Sequence, residues 1–388
     1  MTTATFNPKS KIQNPKPGCI IFAGGGSGGH ISPGLAIAER LIELAPEMQS
    51  IFVCSQRMID ASMLTEAGAE FVAIPATPPS MRPLAASRFL LNFRKSKRMV
   101  SALIQERGVT QAIALGGFIA APTVAAAKAA GVPVMLVNLD APPGKANLWM
   151  AQRCDEVISA IALPMKPGFT REVVGMPIRR RALAPSDRAS CRAQLGLDPN
   201  TPTLLITGAS QGATSINLFM IELAQRDPDM FRGWQIYHLS GGGVGAEEPI
   251  RAAYLRAGIR AIVEPFLSEI GLAWGAADLA ISRAGASSVA EAAANAVPTL
   301  FLPYPYHKDM HQKHNVQPLV DLGGAVVAID KIDARENLQK IAPLLRDLMR
   351  DNDKRAKMRQ AMQRHGFPDA AQIIAQMLVE RMAFQRNP

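Results

Sequence analysis

The stretch Cys19-Ile20-Ile21-Phe22-Ala23-Gly24-Gly25-Gly26-Ser27-Gly28-Gly29-His30-Ile31-Ser32-Pro33-Gly34-Leu35 decides the architecture. Its unbroken apolar run predicts a strand covered on both faces, as in a parallel sheet. Glycines then turn the chain. A helix is expected from about Pro33 to Leu44, with Ser32 as N-cap and Pro33 as first helical residue. Outward from this unit, short β-rich runs at Ser50–Cys54, Phe71–Ile74, Ala112–Leu115, Val134–Asn138, Glu156–Ser159 and Glu172–Val174 alternate with helical stretches. The pattern restarts at Thr203–Thr207, followed by Gly208-Ala209-Ser210-Gln211-Gly212-Ala213 and another helix. Runs at Gln235–Leu239, Ile259–Val263, Leu279–Ser282 and Thr299–Leu302 continue it. The predicted fold class is α/β, with two Rossmann-like doubly wound domains facing a central cleft. Ligands of such sheets bind beyond the carboxyl ends of the strands.

A chain of 388 residues, 48% apolar and 19% charged, is long enough for two cores and too apolar to be disordered. Cys19, Cys54, Cys154 and Cys191 lie far apart without a CxxC, so neither a disulfide framework nor a zinc finger is expected. That cysteine usage fits a reducing cytoplasm. Residues 1–18 have no apolar signal-like core and read as a disordered or extended tail, and no stretch is expected to span a bilayer. The formal charge of +10 is not concentrated enough in either half to demand nucleic acid. One cluster stands out: Arg82, Arg88, Arg94, Lys95, Lys97 and Arg98, with no acid among them and Leu84, Phe89, Leu90, Leu91 and Phe93 interleaved. It reads either as a solvated helix face or as a surface that rests on anionic lipid.

The glycine turn satisfies GxGxxG at Gly24, Gly26 and Gly29, a weak signal by itself. A dinucleotide site also wants an acid at the end of the second strand, and here Cys54-Ser55-Gln56 stands there, with Asp60 the nearest acid. His30, directly after the glycines, faces the expected cleft. A lone histidine is more often structural, but this one is placed to take a proton from an attacking hydroxyl. In the second turn Ser210 and Gln211 offer neutral hydrogen bonds. In the third, Ser282-Arg283-Ala284-Gly285-Ala286-Ser287-Ser288-Val289-Ala290-Glu291, two readings stand level. Ser288-x-x-Glu291 is either a capping box or an anion cradle whose Glu291 accepts from sugar hydroxyls. His307, His311 and His314 fall within eight residues, but without HExxH or a second acid–His group a metal centre is not expected.

The stretch AGGGSGGHISPGLAIAERL, the turn GASQGATSIN, the run SRAGASSVAEAAANAVPTLFLPYPYHKDMHQKHN and GMPIR at Gly175–Arg179 resemble the corresponding motifs of the MurG family. These are peptidoglycan glycosyltransferases that move N-acetylglucosamine from UDP-N-acetylglucosamine to undecaprenyl-diphosphate muramyl-pentapeptide. The likeness runs from about Cys19 to the last helix. It implies a GT-B fold: residues 19–175 an acceptor- and membrane-facing domain, 176–365 a UDP-sugar domain, and 366–388 a helix packing back on the first. It implies inverting transfer without metal or cofactor, by a peripheral protein on the cytoplasmic face of the cell membrane.

Carried onto this chain, the resemblance implies that Ser27, Gly28 and Gly29 close on the diphosphate and that His30 activates the acceptor. Arg179 and Ser210, with Gln211 beside it, reach phosphate, and Ser288 cradles it. Glu291 holds the ribose, the Leu267 backbone meets the uracil, and His311, Gln312 and Asn315 lie near the sugar. Asn147, Gly144 and Trp149 match on the acceptor side. The chain departs from the family at His311, where a Gln is usual, and at Val137-Asn138-Leu139-Asp140, where the family reads like His-Glu-Gln-Asn. A different lipid acceptor, or nucleotide-sugar binding without turnover, are the alternatives.

Overall fold

The computed structural model describes residues 18–26, 29–80, 82–163, 166, 168–170, 172–208, 212–242, 245–305 and 311–386. The tail before residue 18 and Ser27, Gly28, Ser210 and Gln211 lie outside them. In the first half, β1 (Cys19–Ala23), α1 (Ile31–Leu44), β2 (Gln49–Ser55), α2 (Met58–Glu66) and β3 (Glu70–Ile74) are followed by α3 (Pro83–Arg107). Then come β4 (Val109–Ala114), α4 (Gly117–Ala129), β5 (Val134–Asn138), α5 (Lys145–Ala151), β6 (Glu156–Ser159) and β7 (Glu172–Val173). These seven strands form one parallel sheet in the order β3-β2-β1-β4-β5-β6-β7.

The second half repeats the plan through α6 (Arg188–Gln194), β8 (Thr203–Thr207), α7 (Thr214–Arg226), β9 (Gln235–Leu239), α8 (Glu248–Arg256) and β10 (Ala261–Glu264). It continues with α9 (Ile270–Ala276), β11 (Leu279–Ser282), α10 (Ala286–Ala294), β12 (Thr299–Phe301), α11 (His311–Asp321) and β13 (Ala325–Val327). The helices α12 (Ala334–Lys340), α13 (Ala342–Arg350), α14 (Asn352–His365) and α15 (Ala370–Arg386) close the chain. The second sheet is also parallel, in the order β10-β9-β8-β11-β12-β13.

Strand alternation explains the continuous apolar runs. Ile20 and Phe22 of β1 enter one cluster with α1, while Cys19, Ile21 and Ala23 enter another on the opposite face, with α3 and α4. Both faces are dry, so both sets must be apolar. Each fully buried Ile or Phe is worth about 1.5–3 kcal/mol relative to exposure. In both sheets the order reverses beside the first strand, β1 or β8, and that crevice opens a ligand site at the strand ends.

The last helix does not stay with the second half. Ala370, Ala371, Ile374, Ala375 and Leu378 of α15 recur at helical spacing and pack into the cluster of Ile37 and Leu41 of α1. Arg40, fully buried on α1, ties the crossing points together: Nε donates to Asp369 at 3.0 Å and Nη2 to the Ile178 carbonyl at 3.3 Å. Among the described residues no helix is long and apolar enough to cross a membrane.

Candidate active site

Between the two sheets lies a cleft of about 860 Å³, lined from both halves. Its first wall begins at the glycine turn after β1. Asp60, fully buried on α2, accepts the Gly26 N–H at 2.8 Å, the Ser55 N–H at 3.2 Å and the Ser55 hydroxyl. A Cβ on Gly25 would come within 2.5 Å of Asp60 Oδ2, so only glycine allows this approach. The acid missing from the strand end is therefore a brace under the turn. Sequence reading missed that role, because Asp60 sits five residues past Ser55 and only the fold of α2 returns it.

The helix after the turn starts at Ile31, with His30 as its N-cap and no side-chain capping bond. The expected Ser32 cap is corrected by two residues. Pro33 is tolerated within the first turn, where an N–H has no intrahelical partner. The His30 ring lies over Gly116 and Gly117, whose φ values are 111° and 73°. A Cβ on Gly116 would stand 3.1 Å from Nε2. Nε2 faces Asp140 Oδ2 at 3.6 Å, and among the described residues Nδ1 is buried without a partner.

Asn147 does not line the cleft. It is 1% exposed, donates to Asn138 Oδ1 at 2.8 Å and accepts the Gly117 N–H at 3.3 Å. Asn138 in turn donates to the Asp140 carbonyl at 2.9 Å and to Ser159 Oγ at 3.0 Å. Together they fix the His30 platform and the Asp140 segment relative to each other. Within Val137–Asp140, the residues touching the cleft are Leu139 and Asp140, and only Asp140 presents a polar side chain.

The second wall is built on α10. Its first turn, Ala286 to Ser288, points into the cleft after an N-cap, Gly285, that has no side-chain capping bond. The capping-box reading fails there: Ser288 is the third helical residue, and Glu291 instead accepts Trp274 Nε1–H at 3.0 Å. Burial pushes the Glu291 carboxyl up to about 7, against the lowering effects of Trp274 and Arg181. Leu267 lines the cleft beyond β10, as do Gln312 and Asn315 of α11. Gln312 accepts the Tyr304 N–H at 2.8 Å, and Asn315 donates to the Ala284 carbonyl at 3.3 Å. Arg283 turns away from the cleft to Asp330 at 2.6 Å, the Leu302 carbonyl at 2.8 Å and Ser215 Oγ at 2.6 Å, bracing the turn from behind.

Three successive arginines strap the halves. Arg179 Nε donates to Glu39 at 2.7 Å, Arg180 Nε to Glu43 at 2.8 Å, and Arg181 to Glu66 at 2.7 Å. Glu66 also accepts the Ser268 hydroxyl at 2.9 Å, so one carboxylate of α2 bridges to the second half. Arg179 lines the cleft with one nitrogen already committed to α1. Thus Gly29, His30, Arg179, Leu267, Ser288, Glu291, Gln312 and Asn315 converge on one space with Asp140 of the altered acceptor-side segment, whose carboxylate is the next candidate after His30 to take the acceptor proton, and with Glu66 and Arg181, which the motifs did not assign to it.

Residues 20–159 match the glycosyltransferase family 28 N-terminal domain, and residues 203–374 its C-terminal domain. The UDP-N-acetylglucosamine--N-acetylmuramyl-(pentapeptide) pyrophosphoryl-undecaprenol N-acetylglucosamine transferase of Clavibacter michiganensis subsp. michiganensis is 35% identical, over 94% of this chain and 96% of its own. The chain belongs to the MurG family of glycosyltransferases. The protein of the same name from Chlorobaculum tepidum is 32% identical over 93% of this chain and 98% of its own. Among solved structures, Acinetobacter baumannii MurG superposes with a TM-score of 0.69 at 23% identity, covering 94% of this chain and 100% of that one. A Polygonum tinctorium UDP-glucosyltransferase reaches 0.65 at 14% identity, covering 94% and 98%. The fold is the GT-B fold, with all-parallel sheets in both domains.

At the edge of the first domain, the basic run lies on α3. Leu84, Leu90 and Leu91 are 81%, 54% and 63% exposed. Phe89 and Phe93, expected to join them outside, are half-buried instead. Phe93 meets the Trp149 ring edge-on at 6.4 Å, and Arg153 covers that ring at 4.0 Å. Aromatic pairing offers these rings a better environment than water.

Proposed function

We propose that the cleft transfers N-acetylglucosamine, with inversion, from UDP-N-acetylglucosamine to a muramyl-pentapeptide carried on polyprenyl diphosphate. One observation carries the reading: the first turn of α10 and Glu291 on the second wall face His30 and Asp140 on the first across one cleft. The names borne by the relatives supply donor and acceptor. The first turn of α10 offers backbone N–H groups and a positive dipole end to the departing diphosphate. Glu291 accepts from ribose hydroxyls, and Gln312 and Asn315 offer amides to the sugar. The acceptor hydroxyl attacks the anomeric carbon from the His30–Asp140 side. Its oxygen–carbon bond forms as the bond to the diphosphate breaks, and a single displacement inverts that carbon.

UDP release from UDP-N-acetylglucosamine, measured with and without the muramyl-pentapeptide lipid, tests this. Release that accelerates only with that lipid is expected. Acceleration by another polyprenyl acceptor alone would select the second reading, a different lipid acceptor, which Asp140 in the altered segment favours. UDP binding without any release would leave a binding protein.

The lipid anchor stays in the bilayer, so the acceptor side of the enzyme docks on the cytoplasmic membrane face through α3. Six bases contribute about 1 kcal/mol each at most near an anionic surface, screened by salt. Exposed Leu84, Leu90 and Leu91 add apolar contact that salt does not remove. Changing Arg88, Arg94, Lys95 and Arg98 to Gln is expected to release the protein from anionic vesicles at physiological salt. Turnover of a soluble short-chain acceptor should survive. Equal co-sedimentation of parent and variant would make the run a solvated helix face.

A further inference from the structure

We propose that Asp140, rather than His30, removes the proton from the acceptor hydroxyl, and that His30 is the hydrogen-bond donor that seats this hydroxyl. The inference rests on the transferase reading above and names the base within it.

The environment of the imidazole decides its hydrogen. A neutral ring carries one N–H and one lone pair. Among the described residues Nδ1 is shut away without an acceptor, while Nε2 faces the carboxylate of Asp140 at 3.6 Å. Burying an N–H with no acceptor is costly and rare, so the hydrogen belongs on Nε2, directed toward Asp140. A nitrogen that already holds its hydrogen is not a base. The familiar relay, with the carboxylate on one ring nitrogen and substrate on the other, is closed as well, because the other nitrogen is Nδ1.

What remains is convergence. At 3.6 Å, Nε2 and Oδ2 are too far apart for a good direct hydrogen bond of roughly 2.7–3.2 Å. An oxygen about 2.8 Å from each closes a triangle on that base. A hydroxyl seated there accepts from Nε2–H and donates to the carboxylate. Asp140 is placed to receive it, with a side chain 44% exposed on the cleft wall. Its backbone is held by Asn138, which Asn147 holds in turn, and Asn147 also pins Gly117 beneath the His30 ring. One network thus sets the distance between the two groups.

In the step, the hydroxyl proton passes to the Asp140 carboxylate as the oxygen's electron pair bonds to the anomeric carbon. The pair of the breaking carbon–oxygen bond leaves on the diphosphate, and Asp140 later returns its proton to water. Nothing is oxidised or reduced.

The test compares Asp140→Ala, Asp140→Asn, His30→Gln and His30→Ala, with UDP affinity and melting temperature measured for each to exclude misfolding. Both Asp140 variants are expected to lose about 10²–10⁴-fold in turnover with UDP affinity unchanged. Added formate, a free carboxylate, should restore at least tenfold to Asp140→Ala. His30→Gln keeps an N–H donor and should exceed Asp140→Asn by at least tenfold. Near-normal turnover in Asp140→Asn would overturn the proposal. So would rescue of His30→Ala by imidazole together with no rescue of Asp140→Ala by formate. The same ranking is read on slow donor hydrolysis, where water replaces the hydroxyl. A parent that hydrolyses donor but glycosylates no lipid overturns the acceptor reading, while hydrolysis still ranks the two bases. A parent inert in both overturns the base together with the transferase reading.

Discussion

Replacing Glu291 by Gln is expected to weaken UDP-sugar binding roughly ten- to hundredfold while raising the melting temperature of the empty protein at pH 8. The two effects share one cause. The Glu291 carboxyl is drawn out of water on the cleft wall, where it accepts Trp274 Nε1–H at 3.0 Å, and burial lifts it to about 7. Hydrogen bonds to a charged acceptor are worth about 1.5–3 kcal/mol, so losing those from the ribose accounts for the fall in affinity. The sign of the stability effect follows from linkage. The folded state holds this proton more tightly than the unfolded chain. The resulting stabilisation is full below the ordinary glutamate range, near 4.5, and is lost as pH rises through about 7. Glutamine does not titrate, so the variant should match the parent near pH 4.5 and exceed it at pH 8 by on the order of 1–3 kcal/mol. Calorimetric titration with UDP-N-acetylglucosamine, and thermal melts at both pH values, read the two effects. An unchanged dissociation constant would leave Glu291 as no more than an anchor for Trp274.

Asp330→Ala is expected to cost about 3–5 kcal/mol of stability, because it strands a buried guanidinium. Asp330 is buried, and it receives Arg283, the Ser215 hydroxyl at 2.5 Å and Asn337 Nδ2 at 2.8 Å. Burial works against its ionisation, but the bonds from Ser215, Asn337 and the Ile332 N–H, with the charge of Arg283, hold it below the usual carboxylate range. Its contribution is therefore intact above that range and lost as pH falls beneath it. Removing Arg283 together with Asp330 should cost less than the sum of the single changes, since no charge is then left alone. Denaturant unfolding of the three variants measures this. Strict additivity would mean that the pair is not coupled.

Much of this molecule was legible because parallel sheets bury both faces of their strands. Cys19–Ala23 is apolar throughout and Leu204–Ile206 form the apolar centre of Thr203–Thr207, and the glycine turns that follow them announced two βα units. The short strand Ala325–Val327 carried too little sequence to declare itself. The cleft residues on motifs were legible from the resemblance, whereas their partners were not. Glu291 finds Trp274 seventeen positions away, Asp60 reaches back under Gly26, and Glu66 meets Ser268 across the cleft. Such pairings are made by tertiary closure and leave no local period or spacing. Ser288-x-x-Glu291 shows the converse. A local capping pattern was present, and a buried indole N–H outcompeted it.

The packing of α15 onto α1 has a consequence for the order in which the protein is made. Ile374 and Leu378 complete a face that also contains Ile20, Phe22 and Leu41, so residues near the end of the chain finish the half that is synthesised first. At about 5–20 residues per second, that face waits roughly 10–40 seconds on the ribosome before its cover emerges. During the wait an apolar surface built for a helix stands open. A ribosome stalled before residue 370 should therefore carry a nascent chain that chaperones hold persistently, and release through residue 386 should end that hold.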